Sequence, residues 1–202
     1  MAVLSLALFT SCSDDKATNI TEPEYSRATP VDLFAALAYA LEEEEIDIYS
    51  ECLHDEYLFT FLPSDADSAG LAPDEPWWGK TEDVSSTLNM FEDAEATRIR
   101  CDLTVVSGPF PIEGGLAYRL DTDIRVTVEW AGATEPLTLW VNNSWLDVEI
   151  TQDPYRGDKW VFKSIEEVLK EGVLAVSAPG PVLMTEVTTF GSIKATFMAK
   201  GY

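Results

Sequence analysis

The amino-acid sequence predicts an α+β domain in which helices pack on one face of a curved antiparallel sheet. In most of the chain before residue 96, apolar residues recur at spacings of three and four, which is typical of helices. Later segments alternate apolar and polar residues, as half-exposed strands do. Helices followed by a run of strands pack as two layers around one core. The 202 residues, 46% of them hydrophobic, suffice for one domain of ordinary size.

The first helix is predicted to begin at Pro30. Thr29 supplies an N-cap hydroxyl and Asp32 an acid at the third helical position, which is a variant of the capping box. An apolar face continues through Leu41. The glutamates at 42–45 then end or bend the helix, because negative charge is unfavourable at a helix C-terminus. A second, short helix is predicted to carry Ile46, Tyr49, Cys52 and Leu53.

A first strand is predicted at residues 57–62, where β-prone residues are stopped by Pro63. A loop rich in Gly, Pro and Asp follows at 65–76. The third helix is predicted to have Thr81 as its N-cap, with acids in its first turn. Its apolar face would carry Val84, Leu88 and Phe91.

The second half of the chain is predicted to form long antiparallel strands. The clearest alternation lies at 117–130, where Ile124 would face inward and Asp123 outward. Because the apolar set shifts after Val141, a β-bulge is expected at 142–144. The other strands are predicted at 98–106, 137–141, 146–150 and 159–165.

Charge and motif content exclude several classes of function. Lys and Arg total 13 against 36 Asp and Glu, and the net charge of −23 would repel nucleic acid and anionic lipid surfaces. Acidity of this kind is typical of a solvated surface. The single histidine, His54, and the unpaired spacing of the three cysteines indicate no metal site. No nucleotide-binding or common hydrolase motif occurs, so no cofactor is predicted.

The N-terminus is predicted to be a lipoprotein signal segment that is cut before Cys12. Residues 2–9 are apolar but too short to span a bilayer, and residues 10–11 are small, as required before a lipidated cysteine. The segment resembles a lipobox, although Phe9 stands where Leu is usual. Since no Lys or Arg precedes the apolar run, we expect the true start to lie upstream of Met1. The alternative is a frayed hydrophobic end on a cytosolic protein.

The chain is therefore divided into a signal segment (1–12), a flexible polar linker (13–29), the domain (30–170) and a C-terminal extension (171–202). The extension is expected to pack on the sheet as an edge strand or a strap. A lipid on Cys12 would hold the protein to a membrane in the cell envelope, periplasmic or surface-exposed. Cys52 and Cys101 are expected to be buried free thiols, although an exported compartment would permit their oxidation.

Three stretches resemble the nuclear-transport-factor-2-like superfamily, which includes ketosteroid-isomerase-like and polyketide-cyclase-like proteins. They are the opening helix at 30–47, the Trp77-Trp78-Gly79 lead into the third helix, and the closing strand at 159–163. The tail at 188–195 is also similar to tails of uncharacterised lipoproteins of that superfamily. The resemblance implies a cone with an apolar cavity between sheet and helices, which some relatives use for catalysis and others only for binding.

Candidate catalytic residues lie near the start of the first strand. His54 beside Asp55 could act as a general base, with Tyr57 or Tyr49 polarising a carbonyl. Neighbouring side chains point apart in helices and strands, however, so a surface pair is the stronger interpretation of His54 and Asp55. Ketosteroid isomerases use an aspartate as the proton shuttle; the residues here that could correspond are Asp55, Asp65 and Asp102.

Candidate ligand-binding residues lie around the expected bulge. Asn142 could orient a ligand, and Trp140 and Trp160 could line the cavity, although bulge and core roles explain them as well. The loop at 65–76 lacks the ligands that a calcium loop needs.

Three functions remain open after these observations. The leading hypothesis is a lipoprotein domain that binds a ligand or a partner without catalysis, and a small apolar ligand would suit its cavity. The alternatives are a small isomerase or dehydratase with an acid or base in the cone, and a self-associating module that dimerises through its sheet.

Overall fold

The computed structural model describes residues 26–129, 135–170 and 184–200. The proposed signal segment with Cys12, most of the linker, and residues 171–183 of the extension lie outside these ranges. The helices in the described part are α1 (Pro30–Glu42), α2 (Ile46–Glu51), α3 (Pro63–Ala66), α4 (Lys80–Glu92) and α5 (Phe190–Lys200). The strands are β1 (Leu53–Thr60), β2 (Trp77–Gly79), β3 (Ala96–Ile112), β4 (Gly115–Val128), β5 (Leu137–Val141), β6 (Ser144–Gln152), β7 (Trp160–Leu169) and β8 (Met184–Val187).

The strands form one curled sheet around the long strand β4. One edge of β4 pairs with β3 along nearly its whole length, and the other edge pairs with β5 and β6. The sheet then continues from β6 through β7 and β1 to β2. The pairs β1–β7 and β5–β8 are parallel, and the other pairs are antiparallel. The predicted fold class, a curved antiparallel sheet with helices on one face, is confirmed, with these two parallel pairs as the departure from it.

The bulge expected at 142–144 is present. β5 and β6 pair with the same edge of β4, with Ile124 opposite Val141 but Asp121 opposite Trp145, so the two registers differ by one residue. One extra residue in a strand bends it and increases its local twist. The bulge therefore helps the sheet to curl over the helices.

Helix α1 forms as its capping signals predict. Thr29 Oγ1 accepts a hydrogen bond from the backbone N–H of Asp32, and the Asp32 carboxylate accepts one from the N–H of Thr29. The helix ends at Glu42, and Glu44 takes a positive φ of 60° in the turn before α2. Residues such as Phe34 are buried against the sheet, where the Phe34 ring meets Tyr118 edge to face at 5.2 Å.

Several predicted boundaries were wrong. β1 begins at Leu53 rather than at 57, so Leu53 belongs to the strand and not to the second helix. Helix α3 (Pro63–Ala66) runs into the start of the loop predicted at 65–76, and Asp65 itself is buried. Helix α4 begins at Lys80 with Gly79 as its N-cap, so Thr81 lies inside the helix.

The predicted inward face of α4 was also wrong. Val84, Leu88 and Phe91 are only half-buried, and the fully buried positions are instead Asp83, Ser86, Thr87 and Met90. The helix is thus rotated so that a largely polar stripe faces the interior. A polar stripe can be buried only where partners satisfy it, and α5 supplies one of them.

The described part of the C-terminal extension forms β8 and α5. The extension was expected to form an edge strand or a strap, and β8 is an edge strand that pairs with β5. Helix α5 was not predicted from the sequence. The α5 side chains of Phe190, Ile193 and Phe197 are buried in the same core as the sheet. No helix in the described ranges is long and apolar enough to cross a membrane.

Candidate functional site

A cluster of polar side chains lies inside the core, between the start of β1 and the helices α2, α4 and α5. We call it the interior cluster, and it consists of Tyr49, Tyr57, Asp83, Thr87 and Lys194. Each of these residues is at most 2% exposed. Charged residues are almost never fully buried unless they are paired, so this cluster is the most unusual chemical feature of the interior.

The ammonium of Lys194 makes three contacts to oxygen. Its Nζ lies 2.9 Å from Asp83 Oδ1, 2.9 Å from Tyr49 Oη and 3.2 Å from Thr87 Oγ1. An ammonium has three N–H donors, and here each has an acceptor.

The carboxylate of Asp83 is equally engaged. Besides the ion pair with Lys194, its Oδ1 accepts a hydrogen bond from the Tyr49 hydroxyl at 2.5 Å, and its Oδ2 accepts a longer one from the Tyr57 hydroxyl at 3.5 Å. The charged groups of Asp83 and Lys194 and the hydroxyls of the two tyrosines therefore supply one another with hydrogen-bond partners inside the core.

Aromatic rings surround the Lys194 ammonium on its other sides. Nζ lies 5.3 Å from the ring centroid of Tyr49, 5.4 Å from that of Phe59 and 4.7 Å from that of Phe190. All three distances are within the range of a cation–π interaction, which is strengthened where water is excluded. The ammonium is thus held by a carboxylate, two hydroxyls and three rings.

Burial shifts the proton affinities of this cluster. Desolvation raises the pKa of Tyr49 and of Tyr57 well above the ordinary phenol value, and the nearby Asp83 charge raises both further. Desolvation also lowers the pKa of Lys194, and the Asp83 carboxylate opposes that shift. Both tyrosines are therefore neutral hydrogen-bond donors at physiological pH.

The N-terminus of α5 is fixed by two buried acids. The Glu167 carboxylate accepts hydrogen bonds from the backbone N–H groups of Phe190 at 2.9 Å and Gly191 at 2.8 Å, and from the Ser144 hydroxyl at 2.6 Å. Thr189, whose Oγ1 accepts from the N–H of Ser192, donates its own hydroxyl proton to Asp65. A carboxylate at a helix N-terminus satisfies free N–H groups and complements the helix dipole. Burial nevertheless raises the pKa of Glu167.

The predicted catalytic residues are not brought together. His54 Nδ1 accepts a hydrogen bond from the N–H of Glu56, and Asp55 is exposed and forms an ion pair with Lys80 at 3.4 Å. Both line a surface pocket of about 220 Å³. Tyr57 points instead into the core, where it joins the interior cluster. Two members of the interior cluster, Tyr57 and Tyr49, were therefore among the predicted residues. They contact Asp83, however, and not His54.

The predicted ligand-binding residues lie away from the interior cluster. Trp140 is on the outer face of the sheet, where its Nε1 donates to Asp123 at 2.7 Å and Arg125 stacks on its ring. The backbone carbonyl of Asn142 accepts from Lys170 Nζ, and Trp160 is a half-buried residue of β7 that packs against the core. Asn143 is buried, and within the described part of the chain its Oδ1 has no hydrogen-bond partner.

Two other predicted acids have separate environments. Asp65 is buried beneath the α5 N-terminus, as described above, while Asp102 is exposed on β3. Neither contacts the interior cluster through a hydrogen bond in the described ranges.

The outer face of the sheet carries a shallow groove of about 410 Å³. Arg119 forms a bidentate ion pair with Asp147 on its floor and stacks on Trp145 beside it. Phe110, which is 55% exposed, stands at its rim.

The described residues show free, buried thiols at Cys52 and Cys101, as the sequence predicts. Burial raises the pKa of the Cys52 thiol to about 12 and raises that of Cys101 as well. Within the described ranges, no three His, Cys, Asp or Glu side chains are grouped so that they could hold a metal ion.

Comparison with known proteins supports the architecture. No family model matches the sequence, and no curated protein matches it. A solved structure from Novosphingobium aromaticivorans, provisionally named an aromatic ring hydroxylase, is similar with a TM-score of 0.52 at 15% identity, covering 71% of this chain and 88% of that one. A protein of Kribbella flavida gives a TM-score of 0.50 at 12% identity over 69% of this chain and 86% of its own.

A Salmonella enterica serovar Typhimurium protein described as a member of the nuclear-transport-factor-2-like superfamily has a TM-score of 0.46 at 11% identity, over 70% of this chain and 90% of that one. The curled sheet with helices on one face is shared with the Novosphingobium and Kribbella structures, and it is the fold that the resemblance in the sequence implied. At identities this low, the likeness defines the fold and leaves the activity to be argued from the site.

Proposed function

We propose that this protein is a lipid-anchored domain of the cell envelope that binds a ligand without catalysis. The observation that carries the proposal is the saturation of the interior cluster: the carboxylate of Asp83 is engaged by the ammonium of Lys194 and by the hydroxyls of Tyr49 and Tyr57. A general base needs a lone pair within reach of the proton that it removes. Asp83, the acid inside the cone, is 0% exposed and already accepts from three protein donors, so no substrate proton comes within its reach.

The surface candidates support the same proposal. His54 and Asp55 lie at the start of β1 beside an open pocket, with the exposed carboxylate paired to Lys80. An acid or base that works near neutral pH is usually tuned by burial together with a charged partner. The half-exposed His54 has no such carboxylate partner among the described contacts.

The proposal is tested by exposing the purified protein to the small-molecule fraction of its source cells in equilibrium dialysis. Mass spectrometry would then measure which compounds are retained and which are consumed. Binding without catalysis predicts a compound retained at no more than about one equivalent of protein, with nothing consumed beyond that amount.

The matched variants are Asp83→Asn, inside the cone, and Asp55→Asn, on the surface. Consumption of a compound in large excess over the protein, lost in Asp83→Asn and kept in Asp55→Asn, would establish an enzyme and overturn the proposal. The Asp55→Asn protein controls for the loss of one carboxylate from an already acidic chain.

The envelope location is tested separately through Cys12. Cells that express the wild-type chain and are fed an alkyne fatty acid should yield a labelled protein in the membrane fraction. The Cys12→Ser chain should be unlabelled and should leave that fraction. A wild-type chain that carries no label and keeps Met1 would remove the lipid anchor from the proposal.

A second candidate function is self-association through the outer sheet face. It is favoured by two exposed apolar side chains of β3: Phe110, which lines the groove and is 55% exposed, and Val106, which is 51% exposed. Sedimentation velocity of the Cys12→Ser protein would test it. A dimer that dissociates in Phe110→Ser but persists in Tyr155→Ser, a control at another exposed aromatic residue, would support it, and a strict monomer at high concentration would exclude it.

A further inference from the structure

We propose that the interior cluster is a binding site for an organic primary ammonium, and that Lys194 occupies this site in cis in place of the ligand. The inference rests on the proposed function of ligand binding and names the chemical class of the ligand. Its starting observation is that Asp83, two hydroxyls and the aromatic rings enclose one ammonium on all sides.

The groups around Lys194 Nζ match the needs of an ammonium head. Three N–H donors meet three oxygen acceptors at 2.9, 2.9 and 3.2 Å, and only one of these oxygens carries a full charge. The rings of Tyr49 and Phe59 cover other directions at 5.3 and 5.4 Å. Carboxylates and aromatic faces together are the usual means by which proteins recognise organic cations.

Most of this site does not belong to α5. Asp83 and Thr87 lie on α4, Tyr49 on α2 and Phe59 on β1, whereas only Phe190 and Lys194 come from α5. If α5 moved away, the carboxylate, the two hydroxyls and two of the three rings would stay in place. The remaining groups would form a complete acceptor set with no cation in it.

Helix α5 can separate from α4 and the sheet without breaking a strand pair. Its links to the rest of the domain are hydrogen bonds and apolar packing. Glu167 and Asp65 bind its N-terminus, Ser86 Oγ donates to the carbonyl of Lys194 at 2.7 Å, and Asn89 Nδ2 donates to that of Phe197 at 3.3 Å. An element held in this way can open as a local unit while the sheet stays folded. A ligand that binds only the open form then shifts the equilibrium towards it.

Electrostatics select the charge of the ligand. An empty site would leave Asp83 buried without a counter-ion, which is strongly unfavourable, so a cation is required. The net charge of −23 on the chain also draws cations towards the domain and repels anions. Because Tyr49 and Thr87 supply two further acceptors, a primary ammonium fits better than a quaternary one, which has no N–H to donate.

The experiment uses n-butylammonium chloride, which reproduces the Lys194 side chain, and hydrogen exchange of α5 in the full chain with Cys12→Ser. The amine should speed exchange of the α5 amides by on the order of tenfold when its concentration is ten times its dissociation constant for the open form. Amides of β6 serve as the internal reference and should not change. Butanol, sodium butyrate and sodium chloride at equal ionic strength should have no such effect.

Two variants sharpen the result. In Gly191→Ala, a Cβ would lie 2.8 Å from the Phe61 ring, so α5 should dock less tightly. Its amides should exchange faster before amine is added, and the amine should saturate the open form at a lower concentration. In Asp83→Asn, with folding verified by the protection of β6, the amine should no longer act. An Nα-acetyl-lysine amide probe distinguishes a peptide lysine from a free amine as the source of the ammonium.

Unchanged α5 exchange in both the wild type and Gly191→Ala would overturn the inference, as would acceleration spread equally over β6. Either outcome leaves the proposed binding function intact if dialysis still shows stoichiometric retention of some other compound. Multiple turnover in the dialysis experiment would instead remove the proposed function, whatever the amine does to α5.

Discussion

Lys194 Nζ lies 2.9 Å from Asp83 Oδ1, which joins α5 to α4 across 111 residues of sequence. The two side chains are 2% and 0% exposed. The attraction between buried charges roughly offsets the cost of removing them from water, but the loss of one partner leaves the other charge uncompensated. The ammonium of Lys194 is therefore one of the groups that hold α5 against α4.

We predict that Lys194→Met destabilises the protein by about 3–5 kcal/mol, because Asp83 then remains buried without its counter-ion. The double variant Asp83→Leu with Lys194→Met should lose far less than the sum of its two single variants, since it removes both charges. Urea unfolding of the four proteins in the cycle measures this coupling.

The exposed ion pair of Lys80 and Asp55, at 3.4 Å, provides the matched control. Lys80→Met should cost roughly 1–2 kcal/mol, because solvent screens that pair and the variant also loses the hydrogen bond from Lys80 Nζ to the carbonyl of Leu53. A loss in Lys194→Met as small as the loss in Lys80→Met would contradict the view that the buried pair holds α5.

We predict that Glu167 contributes a pH-dependent part of the stability. Burial raises its folded pKa above the ordinary value of 4.5, so the folded state keeps the proton to higher pH than the unfolded state does. Its favourable contribution is then complete below about pH 4.5 and declines as the pH rises through the folded pKa. As the pH rises from about 4.5 through the folded pKa of Glu167, the unfolding free energy of the wild type should fall relative to that of Glu167→Gln. At higher pH, the difference between the two proteins should stay constant.

Glu167→Gln should also be less stable at every pH, by roughly 1–3 kcal/mol, because its amide cannot accept from both backbone N–H groups of Phe190 and Gly191. Its exposed neighbour, Glu166→Gln, controls for the loss of a carboxylate. Denaturant titrations from pH 4 to pH 8 provide the measurement. A wild type that gains stability relative to Glu167→Gln across this range would reverse the sign and refute the prediction.

The fold could be predicted because its signals are local. The capping residues Thr29 and Asp32, the alternation along β4 and the register shift after Val141 are each visible within a few residues of sequence. A one-residue change in the apolar pattern is enough to predict a bulge. The strand β1 was placed too late because its first residues, including the half-buried His54, lack a clear alternation.

The interior cluster could not be found in this way because its signal is not local. Asp83 is an acid in the first turn of a helix, where exposed acids are common, and Lys194 lies in a tail with no strong periodicity. Only their contact reveals that the polar side of α4 faces inward. The one available hint was that Asp83, Ser86 and Thr87 share the spacing of a helix face, and such a polar stripe normally indicates solvent.

We predict that Cys52 and Cys101 are unreactive in the folded protein. Burial raises the pKa of Cys52 to about 12 and that of Cys101 also upward, so almost no thiolate exists at pH 8, and neither sulfur is accessible. In the Cys12→Ser protein, a colorimetric disulfide reagent should titrate no thiol under native conditions and two after unfolding in guanidinium. The absence of any thiol after unfolding under non-reducing conditions, as a Cys52–Cys101 disulfide would give, or a fast native reaction, would contradict the buried free thiols.

We predict that Gly115→Ala severely destabilises the turn between β3 and β4. A Cβ at this position would overlap the carbonyl oxygen of Ile150 on β6, a backbone atom that cannot rotate away. Relief of the clash requires β4 and β6 to separate where they pair at Leu116 and Ile150. We expect a loss of about 1–3 kcal/mol, as for an overpacked core position.

Gly157→Ala is the control for Gly115→Ala, because a Cβ at position 157 would have no heavy atom within 4 Å. That variant should be neutral, or more stable by roughly 0.4–1 kcal/mol through the lower entropy of its unfolded chain. Thermal and urea unfolding of both variants provide the comparison. Equal stabilities for the two would mean that β6 does not lie against Gly115, and the sheet order of β4 beside β6 would then have to be revised.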